Sequence, residues 1–119
     1  MAFRFRKFKV YQDAKSIYTE IVFITKTFPR EHLYLTDQIR RSSLSILLNI
    51  AEGSSKQSDK DFNRFITIAL GSVDETVAAM EVATDLNLVN RIQFETIEKK
   101  LEEISRQLGG LSKKLKVRS

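Results

Sequence analysis

The sequence has no cysteine, no tryptophan, one proline, four glycines and one histidine among its 119 residues. The lack of cysteine excludes disulfides, thiolate metal sites and cysteine nucleophiles, and it favours a reducing location such as the cytoplasm. No apolar run approaches the ~18 residues of a membrane span. The basic first residues do not lead into a signal peptide. Because glycine and proline are so few, we expect few turns and therefore long elements.

The apolar residues that are present follow a helical rhythm. They recur at intervals of three and four in four consecutive segments, the spacing that places side chains on one helix face. In the last segment they form a heptad seam that includes Leu101, Ile104 and Leu108. We predict an all-α fold, an antiparallel up-down-up-down four-helix bundle, as a single domain over residues 1–119. The predicted helices span residues 8–28, 35–53, 58–87 and 91–116.

Three local signals set the predicted helix ends. Pro29 disfavours helical geometry in the residue before it and should end the first helix. Gly53 is expected to cap the second helix, since glycine adopts the left-handed conformation at little cost. Ser58, with Asp61 three residues later, resembles the capping box that begins a helix.

The sequence offers no set of residues suited to catalysis. His32 is the only histidine and falls in a predicted loop, where we expect an ordinary surface residue. A carboxylate-bridged metal pair in a bundle needs two Glu-x-x-His units. Residues 53–56 lack the spacing of a phosphate-binding loop, although free amides after Ser58 offer one phosphate contact. We therefore expect no enzyme activity, no metal, no cofactor and no small-molecule substrate.

Positive charge is the strongest functional signal. The net charge is +5 and the isoelectric point is about 9.6. In an up-down-up-down bundle the first residues, the connection between the second and third helices, and the end of the fourth helix share one pole. This pole carries twelve basic side chains against the four carboxylates of Asp13, Glu52, Asp59 and Asp61. The twelve are Arg4, Arg6, Lys7, Lys9, Lys56, Lys60, Arg64, Arg106, Lys113, Lys114, Lys116 and Arg118.

Nucleic acid is the partner that fits this charge. Phe3, Phe5 and Phe8 alternate with basic residues, and their rings would stack on bases while the cations meet phosphates. The alternative is that the rings seal the bundle and the charges are solvated termini. The candidate nucleic-acid-binding residues, the last two of them secondary, are Arg4, Arg6, Lys7, Lys9, Lys113, Lys114, Lys116, Arg118, Arg40 and Arg41.

The second helix carries more apolar surface than one core face needs. Leu44, Leu47 and Leu48 lie off its main stripe, as Tyr11 and Tyr18 do in the first helix. These five residues either contact both neighbouring helices or form a subunit interface, because an exposed patch is a liability on a soluble monomer. Asn49 and Glu52, beside the apolar run, are predicted to anchor a polar network that fixes helix register.

Several segments resemble one known family, the four-helix-bundle proteins encoded by intervening sequences in bacterial 23S rRNA genes. The resemblance covers nearly the whole chain, and the family is similar to the accessory protein of diversity-generating retroelements. The matching segments are FKVYQ at residues 8–12, LTDQIRRSS at 35–43, Ser45-Ile46, NIAEG at 49–53 and FITIALGS at 65–72.

The resemblance implies a ring-shaped homo-oligomer, a homopentamer, associated with RNA or with a reverse-transcription complex. It implies no enzymatic activity. Because no segment is apolar enough to span a membrane, we also expect no membrane partner. Three positions depart from the family pattern. Leu47 replaces a proline, so the kink that a proline would cause is expected to be absent. Val77 and Asn87 replace a glutamate and a glycine.

Overall fold

Four long helices pack side by side around one hydrophobic core, as predicted. The computed structural model describes residues 2–118, and within that range there is no β-strand. Two short 3₁₀ turns, Arg4–Lys7 and Arg30–His32, precede the first and second helices. The helices are α1 (Lys9–Thr25), α2 (Leu33–Ser54), α3 (Asp59–Asp85) and α4 (Arg91–Arg118).

The helices run alternately up and down a body that measures 45 × 23 × 20 Å. We call the end that holds residues 2–9, 54–64 and 112–118 the basal pole, and the opposite end, with the α1–α2 and α3–α4 connections, the distal pole. The contacts between α2 and α3 are the most extensive, and those between α1 and α4 are the least. No helix within residues 2–118 is long and apolar enough to span a membrane.

The apolar stripes that predicted the helices form the core. Ile17 and Ile21 of α1 and Ile104 and Leu108 of α4 are at most 2% exposed. Each stripe recurs every three or four residues, so each helix presents one continuous face to its neighbours. The heptad seam of α4 therefore lies against the bundle. Among the residues of the seam, only Leu111 is partly exposed.

The α1–α2 connection begins and ends earlier in the chain than predicted. α1 ends at Thr25 and not at residue 28, and α2 begins at Leu33, two residues before the predicted start. The Thr25 hydroxyl donates to the Ile21 carbonyl at 2.9 Å, and Pro29 is extended at ψ 153°. The chain leaves α1 through tighter turns, in which the Lys26 and Phe28 amides donate to the Phe23 and Thr25 carbonyls, three residues back, at 3.3 and 3.1 Å.

The prediction that Gly53 caps α2 in the left-handed conformation is wrong. α2 continues to Ser54, and none of the glycines has a positive φ. A Cβ at position 53 would lie 2.8 Å from the Phe65 Cβ and 2.9 Å from the Phe62 Cδ1. Glycine is needed here because α3 approaches the α2 backbone too closely for any side chain.

The other two connections use recognisable caps. The Ser58 hydroxyl accepts the Asp61 amide at 3.1 Å, which confirms Ser58 as the N-cap of α3. Asn87 ends α3 at φ 62°, with the Leu88 amide donating to the Ala83 carbonyl, as in a Schellman motif. Asparagine tolerates this left-handed conformation, so it serves where the resemblance implies glycine. α2 is continuous through Leu47, as expected without proline.

Candidate nucleic-acid interface

Interactions between chain segments hold the basal pole together. The Arg4 Nε donates to the Ser54 carbonyl at 2.9 Å, which ties the first 3₁₀ turn to the end of α2. Arg118 donates from Nε and Nη2 to the two carboxylate oxygens of Asp59, at 2.9 and 3.1 Å. This two-bond pairing joins the end of α4 to the start of α3. The basic segments predicted to share one pole are therefore brought together.

Charge is unevenly divided along the bundle. The basal group defined in the sequence has twelve cations and four carboxylates, whereas the rest of the chain has eight cations and eleven carboxylates. The molecule therefore carries a positive field at one end and a weakly negative field at the other. Such a separation orients a polyanion toward the basal pole before contact.

The basal cations fall into two groups. Lys9 lies 2.6 Å from Asp13, Arg118 pairs with Asp59, and Arg106 pairs with Glu103. Within residues 2–118, Lys7, Lys113 and Lys114 are exposed and form no ion pair. The second group can meet phosphates without first losing a carboxylate partner.

The paired groups also have shifted acidities. The hydrogen bond from Lys9 lowers the pKa of Asp13, with a further contribution from the Gln107 amide at 2.9 Å. The same bond raises the pKa of Lys9, and the hydrogen bond to Asp59 raises the pKa of Arg118. These side chains therefore keep their charges at neutral pH.

Two grooves flank the last turns of α4. One lies between α4 and the start of α1, and both Lys9 and Lys114 line it. The other lies between α4 and the start of α3, where Lys60, Lys116 and Arg118 line it. The end of α4 is therefore a basic ridge with a groove on each side, and Asp59, the partner of Arg118, also lines the second groove.

The two secondary candidates lie apart from this cluster. The Arg40 Nε donates to the Thr25 hydroxyl at 2.8 Å, and its Nη2 donates to the Val22 carbonyl at 3.3 Å. Arg40 is partly buried and links α2 to α1, whereas Arg41 is exposed on α2. The structure thus gives Arg40 a bracing contact and does not bring either arginine to the basal pole.

Some of the basal aromatic rings seal the bundle, and one is open to solvent and free to stack on a base. Phe8 stacks on Phe62 with ring centroids 6.4 Å apart, and the Arg4 guanidinium lies over both rings. These rings seal the base of the bundle. Phe3 is 61% exposed, and Phe5 lies against Tyr11 with centroids 4.8 Å apart. Of Phe3, Phe5 and Phe8, only Phe3 therefore presents a largely exposed ring to solvent.

The predicted interface residues occupy different environments. Leu47 is 6% exposed and contributes to the core of its own bundle, so it is not available to a second subunit. Leu44, Tyr11 and Tyr18 are partly buried against that core. Leu48 is 51% exposed. Successive residues of a helix point in different directions, so Leu47 faces the core while Leu48 faces solvent. Their adjacent positions in the sequence do not show which of the two is buried.

One apolar residue of α3 is exposed at the level of Leu48. Ile68 is 44% exposed. Both residues lie between the Ser45–Ser72 hydrogen bond and the close approach of Gly53 to Phe65, so they occupy the same level of the α2–α3 pair. We call Leu48 and Ile68 the α2–α3 patch. The second apolar face of α2 does not by itself point to Ile68, because Ile68 lies on the neighbouring helix.

Asn49 belongs to a polar seam between α2 and α3. Its amide donates to the Ser45 carbonyl at 2.8 Å and to the Ser45 hydroxyl at 3.0 Å, and that hydroxyl lies 2.9 Å from the Ser72 hydroxyl. One turn away, the Thr76 hydroxyl donates to the Ser42 hydroxyl at 2.9 Å, fully buried. Such pairs fix helix register. Glu52 is exposed, and its carboxylate makes no hydrogen bond within residues 2–118.

His32 is half-buried, whereas the sequence predicts an ordinary surface residue. Its ring lies in the second 3₁₀ turn, 6.2 Å from the Tyr34 ring. The Nδ1 atom is buried and has no hydrogen-bond partner among the described residues. Across the same residues, no group of three or more histidine, aspartate or glutamate side chains is arranged to hold a metal ion.

Comparisons with known proteins agree with this architecture. The family model for 23S rRNA-intervening sequence proteins matches residues 6–110. A crystal structure from Bacteroides thetaiotaomicron, described as a protein of unknown function from the S23 ribosomal protein family, superposes with a TM-score of 0.82 at 29% identity. The match covers 87% of this chain and 98% of that one. No curated protein matches significantly. The chain belongs to the family of 23S rRNA-intervening sequence proteins.

Proposed function

We propose that this protein is a non-enzymatic homo-oligomer, a pentameric ring, that binds RNA or another nucleic acid through its basal pole. The observation that carries the proposal is the collection of eleven cations and only two carboxylates at the basal pole. The family and the solved neighbour supply the fold, and neither supplies a biochemical activity. The binding function therefore rests on the charge and geometry of this chain.

The end of α4 is the proposed centre of contact. Lys113 and Lys114 are exposed and unpaired within the described chain, and Lys116 and Arg118 line the adjoining groove. Phosphate contacts by lysine and arginine release counterions, which favours binding at low salt regardless of base sequence. A ring would repeat this ridge in every subunit, and several weak contacts on one strand give high overall avidity.

The proposal includes partners and a location. RNA, alone or in a reverse-transcription complex, is the proposed ligand, and a second copy of the chain is the proposed protein partner. No small-molecule substrate, cofactor or membrane is part of the proposal. The proposed location is the cytoplasm, because a chain without cysteine is suited to a reducing compartment.

Neutralising the ridge tests the proposed binding. In the variant Lys113→Gln, Lys114→Gln, Lys116→Gln, we expect affinity for a 20-nucleotide RNA to fall at least about tenfold at low salt. The slope of log affinity against log salt should become shallower by about 2 to 3, since each phosphate contact contributes somewhat less than one unit. Fluorescence anisotropy across a salt series measures both quantities.

A charge-matched variant makes this test specific. Lys26, Arg30 and Lys99 are exposed, form no ion pair in the described chain and lie outside the basal group. Replacing all three by glutamine removes the same net charge and should leave the slope within about half a unit of wild type. Equal losses in the two triple variants would show a dependence on net charge alone and contradict a basal binding site. Undetectable or salt-independent binding by wild type would also reject the proposal.

The α2–α3 patch favours a second candidate function, a protein-interaction scaffold without nucleic acid. Two exposed apolar residues on adjacent helices are suited to a protein contact, which can be another copy or a foreign partner. Light scattering separates the two. A defined oligomer places a second copy on an apolar face, whereas a monomer of 13.7 kDa leaves the patch for a foreign protein.

A substitution in the patch tests its part in assembly. Leu48→Glu places a charge on the exposed side of α2 and should reduce the oligomer to monomers at micromolar concentration, because an unpaired charge is costly in an apolar interface. Ile92→Glu is the matched control, since Ile92 is 78% exposed on α4. Sedimentation velocity reports the mass of each. An unchanged oligomer in Leu48→Glu would place the interface elsewhere.

A further inference from the structure

A groove beside the first 3₁₀ turn is separate from the two grooves at the end of α4. It lies on the outward side of α1 and has a volume of about 660 Å³, within the size range of small-ligand sites. Its walls combine aromatic and basic side chains with amide and hydroxyl groups. The main lining residues are Phe5, Arg6, Tyr11, Gln12 and Lys15.

Contacts within the chain hold this groove in shape. The Phe5 and Tyr11 rings meet edge to face, with centroids 4.8 Å apart and planes at 69°. The Gln12 amide donates to the Arg6 carbonyl at 2.8 Å, and Arg4 fastens the same turn to α2. The groove is therefore set before any ligand arrives, which lowers the entropic cost of binding.

Phe3 stands one turn before the groove in an unusual conformation. Its ring is 61% exposed, and its backbone is left-handed at φ 63° and ψ 45°. A bulky residue rarely adopts this conformation, and such outliers concentrate at functional sites. The Arg6 guanidinium lies 5.1 Å from the centre of the Phe3 ring. The turn thus presents an aromatic face and a cation together.

The charges around the groove are of one sign. Arg6 and Lys15 line it, and neither forms an ion pair within residues 2–118. No aspartate or glutamate lines the groove. An anion with a flat apolar ring satisfies both the cations and the aromatic walls. A nucleotide within a strand has this combination, since its phosphate and its base lie side by side.

We propose that this groove binds a single-stranded segment of RNA, with one base stacked on Phe3, the next base in the groove beside Tyr11, and phosphates at Arg6 and Lys15. The inference rests on the proposed function and specifies which form of nucleic acid is preferred. In a duplex the base faces are stacked on one another and are not available to protein rings. The groove therefore selects single strands, whereas the α4 ridge binds phosphates of either form.

Removal of the exposed ring tests the stacking. Phe3→Leu keeps an apolar side chain and should weaken binding of a labelled single-stranded RNA dodecamer by about 5- to 150-fold, the usual range for one lost stacking contact. Binding of the same sequence as a blunt duplex should change by less than about twofold. Phe23→Leu is the control, because Phe23 is an equally exposed ring, at 73%, near the distal pole. It should alter neither affinity.

A spectroscopic test reports occupancy of the groove itself. The chain has three tyrosines and no tryptophan, so the Tyr18→Phe, Tyr34→Phe variant leaves Tyr11 as the only strong intrinsic fluorophore. Saturation with the single-stranded dodecamer should quench Tyr11 emission. The duplex, at the same nucleotide concentration, is the control for light absorbed by the RNA. It should lower Tyr11 emission by no more than that absorption accounts for.

The outcomes separate this inference from the function on which it rests. Selective loss of single-strand affinity in Phe3→Leu together with quenching of Tyr11 is the expected result. If wild type binds RNA but Phe3→Leu stays within twofold of it, or Tyr11 is not quenched at saturation, the groove does not take bases and this inference alone is overturned. If wild type binds neither probe, the proposed function fails as well.

Discussion

Replacing Leu108 by alanine is expected to lower the free energy of unfolding by about 2 to 5 kcal/mol. Leu108 is fully buried in the heptad seam of α4. The seam is narrow, with about one apolar side chain per turn, so no neighbour on α4 fills the cavity. Urea denaturation followed by circular dichroism measures the loss. Wild type and variant are compared at one protein concentration, because assembly would add to the measured stability.

An exposed residue of the same helix provides the comparison. Ile92→Ala removes an apolar side chain that is 78% exposed at the start of α4 and should change stability by no more than about 0.5 kcal/mol. A similar small change in Leu108→Ala would mean that α4 is not packed as described. The contrast between the two variants thus tests whether the seam, and not helix propensity alone, holds α4 in the bundle.

The fold class could be predicted because its signal is local and repeated. Residues such as Ile17, Ile21, Ile104 and Leu108 each lie three or four positions from the next apolar residue of the same stripe, and all four are buried. Such a face is buried only by packing against other helices. When the connections are short, few arrangements other than an antiparallel bundle are possible. The ends of the helices are predicted less accurately, since α1 ends at Thr25, three residues before Phe28, where the backbone bonds tighten to i→i−3.

The details of the candidate site depend on register between helices, which the sequence does not state. Arg118 and Asp59 are 59 residues apart, and only the relative height of α3 and α4 makes them partners. The same is true of Gln107 and Asp13 in α4 and α1. The basic pole can therefore be located from the sequence, but paired cations such as Lys9 cannot be distinguished there from unpaired ones such as Lys114.

The aromatic residues show the same division between local and long-range information. Alternation of Phe3, Phe5 and Phe8 with basic residues indicated either stacking platforms or a seal for the bundle. Phe8 seals the base because Phe62, far along the chain, lies beside it. Phe3 stays exposed because its ring lies against Phe5 and the Arg6 guanidinium and not against the core. No property of the three residues taken alone separates these outcomes.

Gly53→Ala is the second substitution with a large expected effect, and it tests a close approach that helix propensity opposes. Alanine is favoured over glycine within a helix by about 1 kcal/mol, so propensity alone predicts a more stable protein. We expect the reverse, a net loss of about 1 to 3 kcal/mol, because overpacking forces backbone shifts. The new Cβ would meet the Phe65 Cβ at 2.8 Å, an atom that no rotamer change can move.

The Phe62 ring has equally little freedom to relieve this contact, since it is 3% exposed and packs against both the Phe8 ring and the Arg4 guanidinium. The strain should therefore reach the first 3₁₀ turn and broaden its amide resonances. Gly71→Ala is the matched control. Gly71 lies within α3, and a Cβ there meets nothing within 4 Å, so this variant should gain about 0.5 to 1 kcal/mol. Because the two variants differ only in what the added methyl group meets, stabilisation by both would contradict the α2–α3 distance that positions the basal pole.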